Sequence, residues 1–162
     1  MHETSQVTTP LGQNYKLSMQ DSPKTDEERQ RLNIIPYASG VGSIMYGMIY
    51  SRPNLSYFVN VVNSFMTNPG ALHYSALKWI MRYLNSSLTA DLKFKKTHHD
   101  KEPIKGCVDS YYVGNMDTRK SISDYVFTLY GTAWRAITQS VVALSTTQAE
   151  FTALTIGVKE AL

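Results

Sequence analysis

The sequence contains very little cysteine and no long apolar segment. Its single cysteine, Cys107, cannot form an internal disulfide and belongs to no Cys-x-x-Cys or Cys/His grid. This argues against a disulfide scaffold and against a structural zinc site. The first 30 residues are polar, and no apolar run approaches the roughly 20 residues that a membrane-spanning helix needs. We therefore expect an intracellular protein, in the cytoplasm or nucleus, that is neither secreted nor inserted in a membrane.

Neither positive nor negative residues are in large excess. Sixteen Lys and Arg residues against thirteen Asp and Glu residues give a formal net charge of +3, which permits contact with a polyanion but does not require it. The sequence has no glycine-rich phosphate loop and no supported Ser-His-Asp or Cys-His triad. Its 162 residues are 43% hydrophobic, which is enough for a globular core of ordinary size.

The first half of the chain has helical patterning. Residues 1–20 are polar and without periodicity, and they predict a loose arm. Thr25 and Glu28 then have the spacing of a capping box, which predicts a helix start. Residues 21–96 are interpreted as one helical domain. Three further helices are predicted in it, at residues 37–51, 53–66 and 73–84.

The second half has strand patterning and a final helix. Residues 104–162 are interpreted as a second domain, separated from the first by a charged loop. We expect an α+β protein whose second domain contains a mixed sheet and a C-terminal helix. The predicted elements are a strand at 90–94, a strand at 104–108, an antiparallel hairpin of 123–130 and 133–137, and a helix from 146 with Ala149, Ala153, Ile156 and Ala161 on one face.

Two carboxylates are the best candidates for chemistry. Asp109 follows the strand predicted at residues 104–108, and Glu150 is expected in the first turn of the last helix. A strand-end Asp near a helix-borne Glu can hold Mg²⁺ or Mn²⁺ for phosphodiester hydrolysis, because hard cations prefer carboxylate oxygens. Alternatively, Asp109 closes a turn and Glu150 stabilises the helix N-terminus through the macrodipole. Spacing alone leaves both interpretations open.

Basic and aromatic residues give weaker signals. A lysine cluster between residues 93 and 105 could contact phosphates or only keep a loop soluble. His98 and His99 have no third metal ligand at a suitable spacing, so solvated loop histidines are the simpler interpretation. Tyr111 and Tyr112 could stack on bases or pack against their own domain. The cluster comprises Lys93, Lys95, Lys96, Lys101 and Lys105.

The order of several motifs resembles a known family, the Pol polyproteins of copia-type LTR retrotransposons. The first group is similar to the end of the reverse transcriptase, and the second to the adjoining ribonuclease H domain. Together they extend over residues 11–162. The first group is SPKTDEE (22–28), PYASGVGSIMY (36–46), SRPN (51–54), NPG (68–70), His73 and LKWIMRYL (77–84). The second group is RKS (119–121), DYVF (124–127), Trp134 and VALSTTQAEF (142–151).

The resemblance implies a fold and a site. It implies a helical unit like the connection or thumb of a reverse transcriptase, followed by an incomplete ribonuclease H-like mixed sheet. It places Asp109 and Glu150 at two ribonuclease H metal-ligand positions, with Mg²⁺ or Mn²⁺ as the family's cofactor and an RNA/DNA hybrid or RNA as its partner. The sequence departs from the family pattern at Tyr111 for Asp, Asn115 for an acidic residue, Asp124 for Gly, Thr132 for Gly and Gln148 for Glu.

Two parts of the family's machinery have no counterpart here. The third ribonuclease H Asp and the Tyr-x-Asp-Asp hairpin of the polymerase are both missing from the sequence. We therefore expect a truncated fragment that is inert by itself, although its parent family consists of enzymes. The alternatives are a non-catalytic nucleic-acid-binding module, or a half-domain whose unfinished sheet pairs with the missing polyprotein segments or with itself.

Overall fold

The computed structural model describes residues 7–12, 15–90, 105–128 and 132–162. The chain divides into two compact units, one of Met1–Tyr50 with Phe58–Ala90 and the other of Ser51–Tyr57 with Asp91–Leu162. The predicted first domain includes the segment Ser51–Tyr57, yet this segment belongs to the second unit. Across the described residues, no helix is both long enough and apolar enough to cross a membrane.

The first helix of the first unit begins where the sequence predicts it. Helix α1 (Asp26–Asn33) is capped by Thr25, whose hydroxyl accepts a hydrogen bond from the Glu28 N–H at 3.3 Å. The Glu28 carboxylate in turn accepts the Lys24 N–H at 3.3 Å. These bonds satisfy backbone donors at the helix start, where the intrahelical pattern offers no acceptors. The predicted helix start at Thr25 is confirmed.

Three more helices follow, and one is shorter than predicted. They are α2 (Tyr37–Ser51), α3 (Ser56–Asn63), which follows a 3-10 turn at Pro53–Leu55, and α4 (Ala71–Ser86). Helix α3 does not continue to residue 66. The N–H groups of Phe65 and Met66 bond to carbonyls three residues earlier, at 3.3 and 3.1 Å. The chain therefore tightens into turns before α4 begins.

The core of the first unit lies between the apolar faces of α2, α3 and α4. Buried polar groups within it are paired, as burial requires. His73 is fully buried, its Nδ1 accepts the Gly70 N–H at 2.8 Å, and its ring stacks on Phe65 at a centroid distance of 4.1 Å. The buried apolar residues of these helices include Val41, Ile44, Val59, Val62, Leu77 and Ile80.

The described part of the predicted arm packs against α4, which corrects the prediction of a loose segment. The Trp79 indole N–H donates to the Thr9 carbonyl at 2.9 Å, and the Ser86 hydroxyl donates to the Val7 carbonyl at 3.0 Å. Leu17 is buried. The polar composition of this segment predicted a loose arm. Composition does not reveal the hydrogen bonds that hold it, because their partners lie some 70 residues away in the sequence.

The sheet of the second unit has three antiparallel strands in the order β1-β2-β3. The strands are β1 (Lys105–Tyr111), β2 (Ile122–Thr128) and β3 (Thr132–Thr138). The predicted hairpin of β2 and β3 is confirmed, and its turn at 129–131 lies outside the described residues. Strand β1 extends three residues beyond the predicted end at residue 108. The strand predicted at 90–94 lies almost entirely outside the described residues.

Helix α5 (Thr146–Ala161) covers one face of this sheet. Its sheet-facing side is made of small residues, Ala149, Ala153 and Gly157, all buried. A Cβ on Gly157 would lie 2.6 Å from Cγ2 of Val108, so the helix can approach β1 this closely only with glycine there. Ala149 and Ala153 confirm the predicted buried face, whereas Ala161 is exposed.

Candidate functional site

Asp109 lies inside β1 and not at its end, which corrects the sequence-based placement. Its partner in the register of β1 and β2 is Asp124, so two carboxylates face each other across adjacent strands. Asp109 is exposed, and its Oδ1 accepts the Ser110 N–H at 2.8 Å. The two acids share one face of the sheet because side chains of directly paired residues point the same way.

The environment of Asp124 differs from that of Asp109. Asp124 is half-buried. Burial, together with the negative charge of Asp109, raises the pKa of Asp124 from 3.8 to about 6. Desolvation disfavours the charged carboxylate, and a neighbouring like charge adds to that effect. Asp124 therefore retains its proton to a higher pH than a solvated aspartate does.

A cavity of about 240 Å³ lies over this face. Pro53 and Tyr57 border it on one side, and the two aspartates and Val126 border it on the sheet side. Burial raises the pKa of the Tyr57 hydroxyl, and the nearby Tyr111 and Asp124 add to the shift. The Tyr57 ring meets Tyr111 edge to face, with centroids 6.0 Å apart. The cavity is thus lined mainly by apolar surface, with the carboxylates of Asp109 and Asp124 on its sheet side.

Glu150 lies in the second turn of α5, one turn later than predicted, and it is exposed. The helix start is instead organised by Ser145, whose hydroxyl accepts the Gln148 N–H at 3.2 Å. The Gln148 side chain accepts the Leu144 N–H at 2.9 Å. Gln148, which replaces a family Glu, therefore serves as a capping residue.

The structure does not bring Asp109 and Glu150 together. Helix α5 packs on the face that carries Val108, as the close approach of Gly157 shows. On this α5-covered face of the sheet, the Gln139 side chain joins β2 to α5. Its Nε2 donates both to Ser123 Oγ at 2.8 Å and to the Ala149 carbonyl at 2.9 Å. Successive strand residues point to opposite faces, so Asp109 points away from α5.

The acidic residues of the second unit do not fit a divalent metal site as they stand. Such a site needs several carboxylate oxygens converging on one position. In the described portion of the chain, no three His, Cys, Asp or Glu side chains come close enough to hold an ion. Asp109 is directed towards Asp124 and the cavity, and Glu150 lies on a helix across the sheet.

The weaker candidates fall mostly outside the described residues. Four of the five lysines, and both His98 and His99, lie in the segment 91–104. Lys105 is described, and it is exposed at the first position of β1. Tyr111 and Tyr112 have 58% and 38% of their surface exposed. Base stacking by these tyrosines stays a prediction.

Sequence reasoning missed the partnership of Asp109 with Asp124. The family resemblance marks Asp124 only as a departure from a glycine. Its position opposite Asp109 depends on the register of β1 and β2, which are joined by residues 112–121. A connection of this length does not determine a register by itself. The hairpin pattern of residues 123–130 was the available signal, since it assigned Asp124 to a strand.

Comparisons with known proteins find relatives over almost the whole chain. The chain is 42% identical over 163 residues to the retrovirus-related Pol polyprotein from transposon TNT 1-94 of Nicotiana tabacum, covering 99% of this chain. It is 31% identical over 147 residues to the Pol polyprotein from transposon RE1 of Arabidopsis thaliana, covering 90% of this chain. The chain spans only 12% and 9% of the lengths of these polyproteins. No family model matches, and no solved structure matches.

A third relative corrects the expected localisation. The chain is 39% identical over 130 residues to secreted RxLR effector protein 161 of Plasmopara viticola, covering 79% of this chain and 90% of that protein. A relative that this chain covers over most of its length is thus named as secreted. This contradicts our expectation of an intracellular protein that is not secreted.

The motif order and the two Pol relatives agree on the origin of the sequence. The identity to the TNT 1-94 polyprotein extends through the segments that contain Asp109 and Glu150, because the match covers 99% of the chain. The sequence thus corresponds to a part of a transposable element's Pol polyprotein, and the chain belongs to the copia-type retrotransposon Pol family.

Proposed function

We propose that this chain corresponds to the end of a reverse transcriptase and the first part of a ribonuclease H domain, and that it does not cleave RNA/DNA hybrids by itself. The observation that carries this proposal is the position of α5, which packs on the sheet face opposite Asp109. Glu150 and Asp109, the two residues matching ribonuclease H ligands, therefore do not converge. RNA-templated DNA synthesis and hybrid hydrolysis belong, in this proposal, to the longer polyproteins.

The order of elements supports the fold part of the proposal. A helical unit precedes three antiparallel strands, and a helix then covers one face of the sheet. This order agrees with the ribonuclease H-like start that the motifs imply. The first unit, with α1 to α4 around a common core, is assigned to the end of the reverse transcriptase.

The chemistry of hybrid cleavage supports the functional part. Two-metal hydrolysis requires ions about 3.5–4 Å apart, held by carboxylates that converge on both. The second unit offers instead an aspartate pair, one member of which has a pKa of about 6. Such a pair faces a cavity with apolar walls. Neither Mg²⁺ nor Mn²⁺ is competently held by this arrangement.

A nuclease assay with matched variants tests the proposal. The purified full chain is incubated with a labelled RNA/DNA hybrid in Mg²⁺ and, separately, in Mn²⁺, beside Asp109→Asn and Glu150→Gln. We expect the three proteins to yield the same background of product. Asp117→Asn removes an exposed acid from a turn and serves as a charge-matched control. The proposal would be refuted if the wild type cleaved the hybrid in a metal-dependent way, Asp109→Asn abolished that cleavage and Asp117→Asn did not.

Metal binding provides a readout that does not depend on activity. Calorimetric titration of the full chain with MnCl₂ should give no saturable heat that distinguishes the wild type from Asp109→Asn. A site that disappears in both Asp109→Asn and Glu150→Gln would show that the two side chains do converge, contrary to the proposal.

A further inference from the structure

The cavity over the sheet face that carries Asp109 lies entirely within the second unit. Its volume is about 240 Å³. Its sheet side, here called the floor, includes four side chains at directly paired positions of β1 and β2, Cys107 with Val126 and Asp109 with Asp124. These side chains share one face, because paired residues point the same way and every second residue of a strand returns to the same side. A space large enough for a small ligand thus lies over a floor of defined composition.

The floor of the cavity has an apolar half and an acidic half. Cys107 and Val126 form the apolar half, and Asp109 and Asp124 form the acidic half. Because the two pairs are two residues apart along the strands, their centres are separated by about 7 Å. A ligand that contacts both halves therefore needs an apolar part and a polar part at roughly this separation.

The acidic half of the floor favours a positively charged ligand. Asp109 and Asp124 are directly opposite each other, and like charges at such positions repel. Every described residue that lines the cavity is either neutral or acidic, so a cation that enters relieves this repulsion. Asp124 is half-buried, and a partly desolvated carboxylate gains more from a hydrogen-bonded cation than an exposed one does. Asp109 and Cys107 are exposed, which gives solutes access to the cavity.

The spacing of the two carboxylates fits a planar cation. Directly opposed residues of an antiparallel pair have Cβ atoms about 4.5–5.5 Å apart, and an amidinium or guanidinium presents several N–H donors in one fixed plane. A divalent metal ion fits less well, because it needs more oxygen ligands than two aspartates supply. We propose that this cavity binds a small organic cation, an amidinium or guanidinium with a short apolar body. Its charged group lies between Asp109 and Asp124, and its apolar body lies over Cys107 and Val126.

Three related compounds test the two halves of the floor. Benzamidine is the probe, because it joins a phenyl ring directly to an amidinium. Its titration into the isotopically labelled full chain, at a pH where both acids are ionised, should give saturable changes in the amide resonances of β1 and β2. Benzamide, a neutral compound of the same shape, should bind roughly tenfold more weakly or worse, because it forms no charge-assisted hydrogen bond. Acetamidine keeps the charge but has a methyl group in place of the ring, and it should lose about as much through lost apolar burial. The absence of saturable changes, or equal affinities for benzamide and benzamidine, would overturn the proposal.

Substitutions on the two strands test the location of the site. Asp124→Asn and Asp109→Asn should each weaken benzamidine binding roughly tenfold, because each removes one charged acceptor. Asp117→Asn makes the same change in an exposed turn of the same unit and should leave the affinity unchanged. The amide spectrum of each variant without ligand shows whether it folds. Asp109 is exposed, so Asp109→Asn keeps the test valid if Asp124→Asn does not fold. An affinity unchanged by both substitutions in the floor, or an equal loss in Asp117→Asn, would contradict the proposed site.

Discussion

Helices α4 and α5 have the same length but bury opposite kinds of surface. Each contains 16 residues. The inner face of α4 consists mostly of large side chains, whereas that of α5 consists of alanine and glycine. Phe151, the largest apolar residue of α5, has 72% of its surface exposed. The first unit thus depends on filled volume and the second on close backbone approach, so apolar content alone does not identify the inner face of a helix.

The largest expected effect comes from removing volume under α4. Ile80 is fully buried, and Ile80→Ala should lower the free energy of unfolding by about 3 kcal/mol because it leaves a cavity. Urea unfolding followed by the fluorescence of Trp79, in a Trp134→Phe background, measures this loss. Leu72→Ala, on the exposed side of the same helix, should cost far less. Equal losses would remove the volume explanation for α4.

Adding volume under α5 should have the next largest effect. Gly157→Ala places a methyl group against Val108 and should cost about 2 kcal/mol through overpacking. Combining it with Val108→Ala should cost less than the sum of the two single changes, because the clash is relieved. Gly42, in α2, has open space around its Cα, so Gly42→Ala should instead stabilise by about 0.5–1 kcal/mol. Chemical denaturation of all four variants checks these signs.

The aspartate pair gives the second unit a pH dependence. The pKa of Asp124 is raised from 3.8 to about 6 in the folded protein, so the folded state binds this proton more tightly than the unfolded state. The contribution is fully present below about pH 4 and is lost as the pH rises to about 6. Asp124→Asn should therefore raise stability by about 1 kcal/mol at pH 7, after allowance for partial solvent screening. It should change little at pH 4, and a larger gain at pH 4 than at pH 7 would contradict the sign.

The smallest expected change concerns the outer face of α5. Phe151→Ser should alter the free energy of unfolding by no more than about 0.5 kcal/mol, because the side chain is already exposed. Thermal denaturation at low protein concentration measures this. A loss comparable to that of Ile80→Ala would mean that Phe151 is packed, and that the two helices differ less than their burial indicates.

Local sequence signals predicted individual helices and strands better than they predicted how the strands pair. The cap at Thr25 and the β2–β3 hairpin follow from adjacent residues, and both are confirmed. On α5, Ala149 and Ala153 are buried as the pattern predicted, whereas Ala161 is exposed. The register of β1 with β2 is not local. The connection between them contains Val113 and Arg119 at positive φ, 53° and 56°, a conformation that neither residue type favours. Family resemblance assigned Asp109 a role, but it did not predict that the residue would face Asp124.

The packing of the N-terminal segment has a practical consequence for anyone who shortens the protein. A version that begins at residue 21, where composition suggests a boundary, would lack Leu17 and the carbonyl of Thr9. The indole of Trp79 would lose both its acceptor and its edge-to-face neighbour Tyr15, whose ring centroid lies 5.7 Å away. The newly uncovered strip of α4 would favour precipitation during purification. Expression trials should therefore retain the residues from Val7 onward.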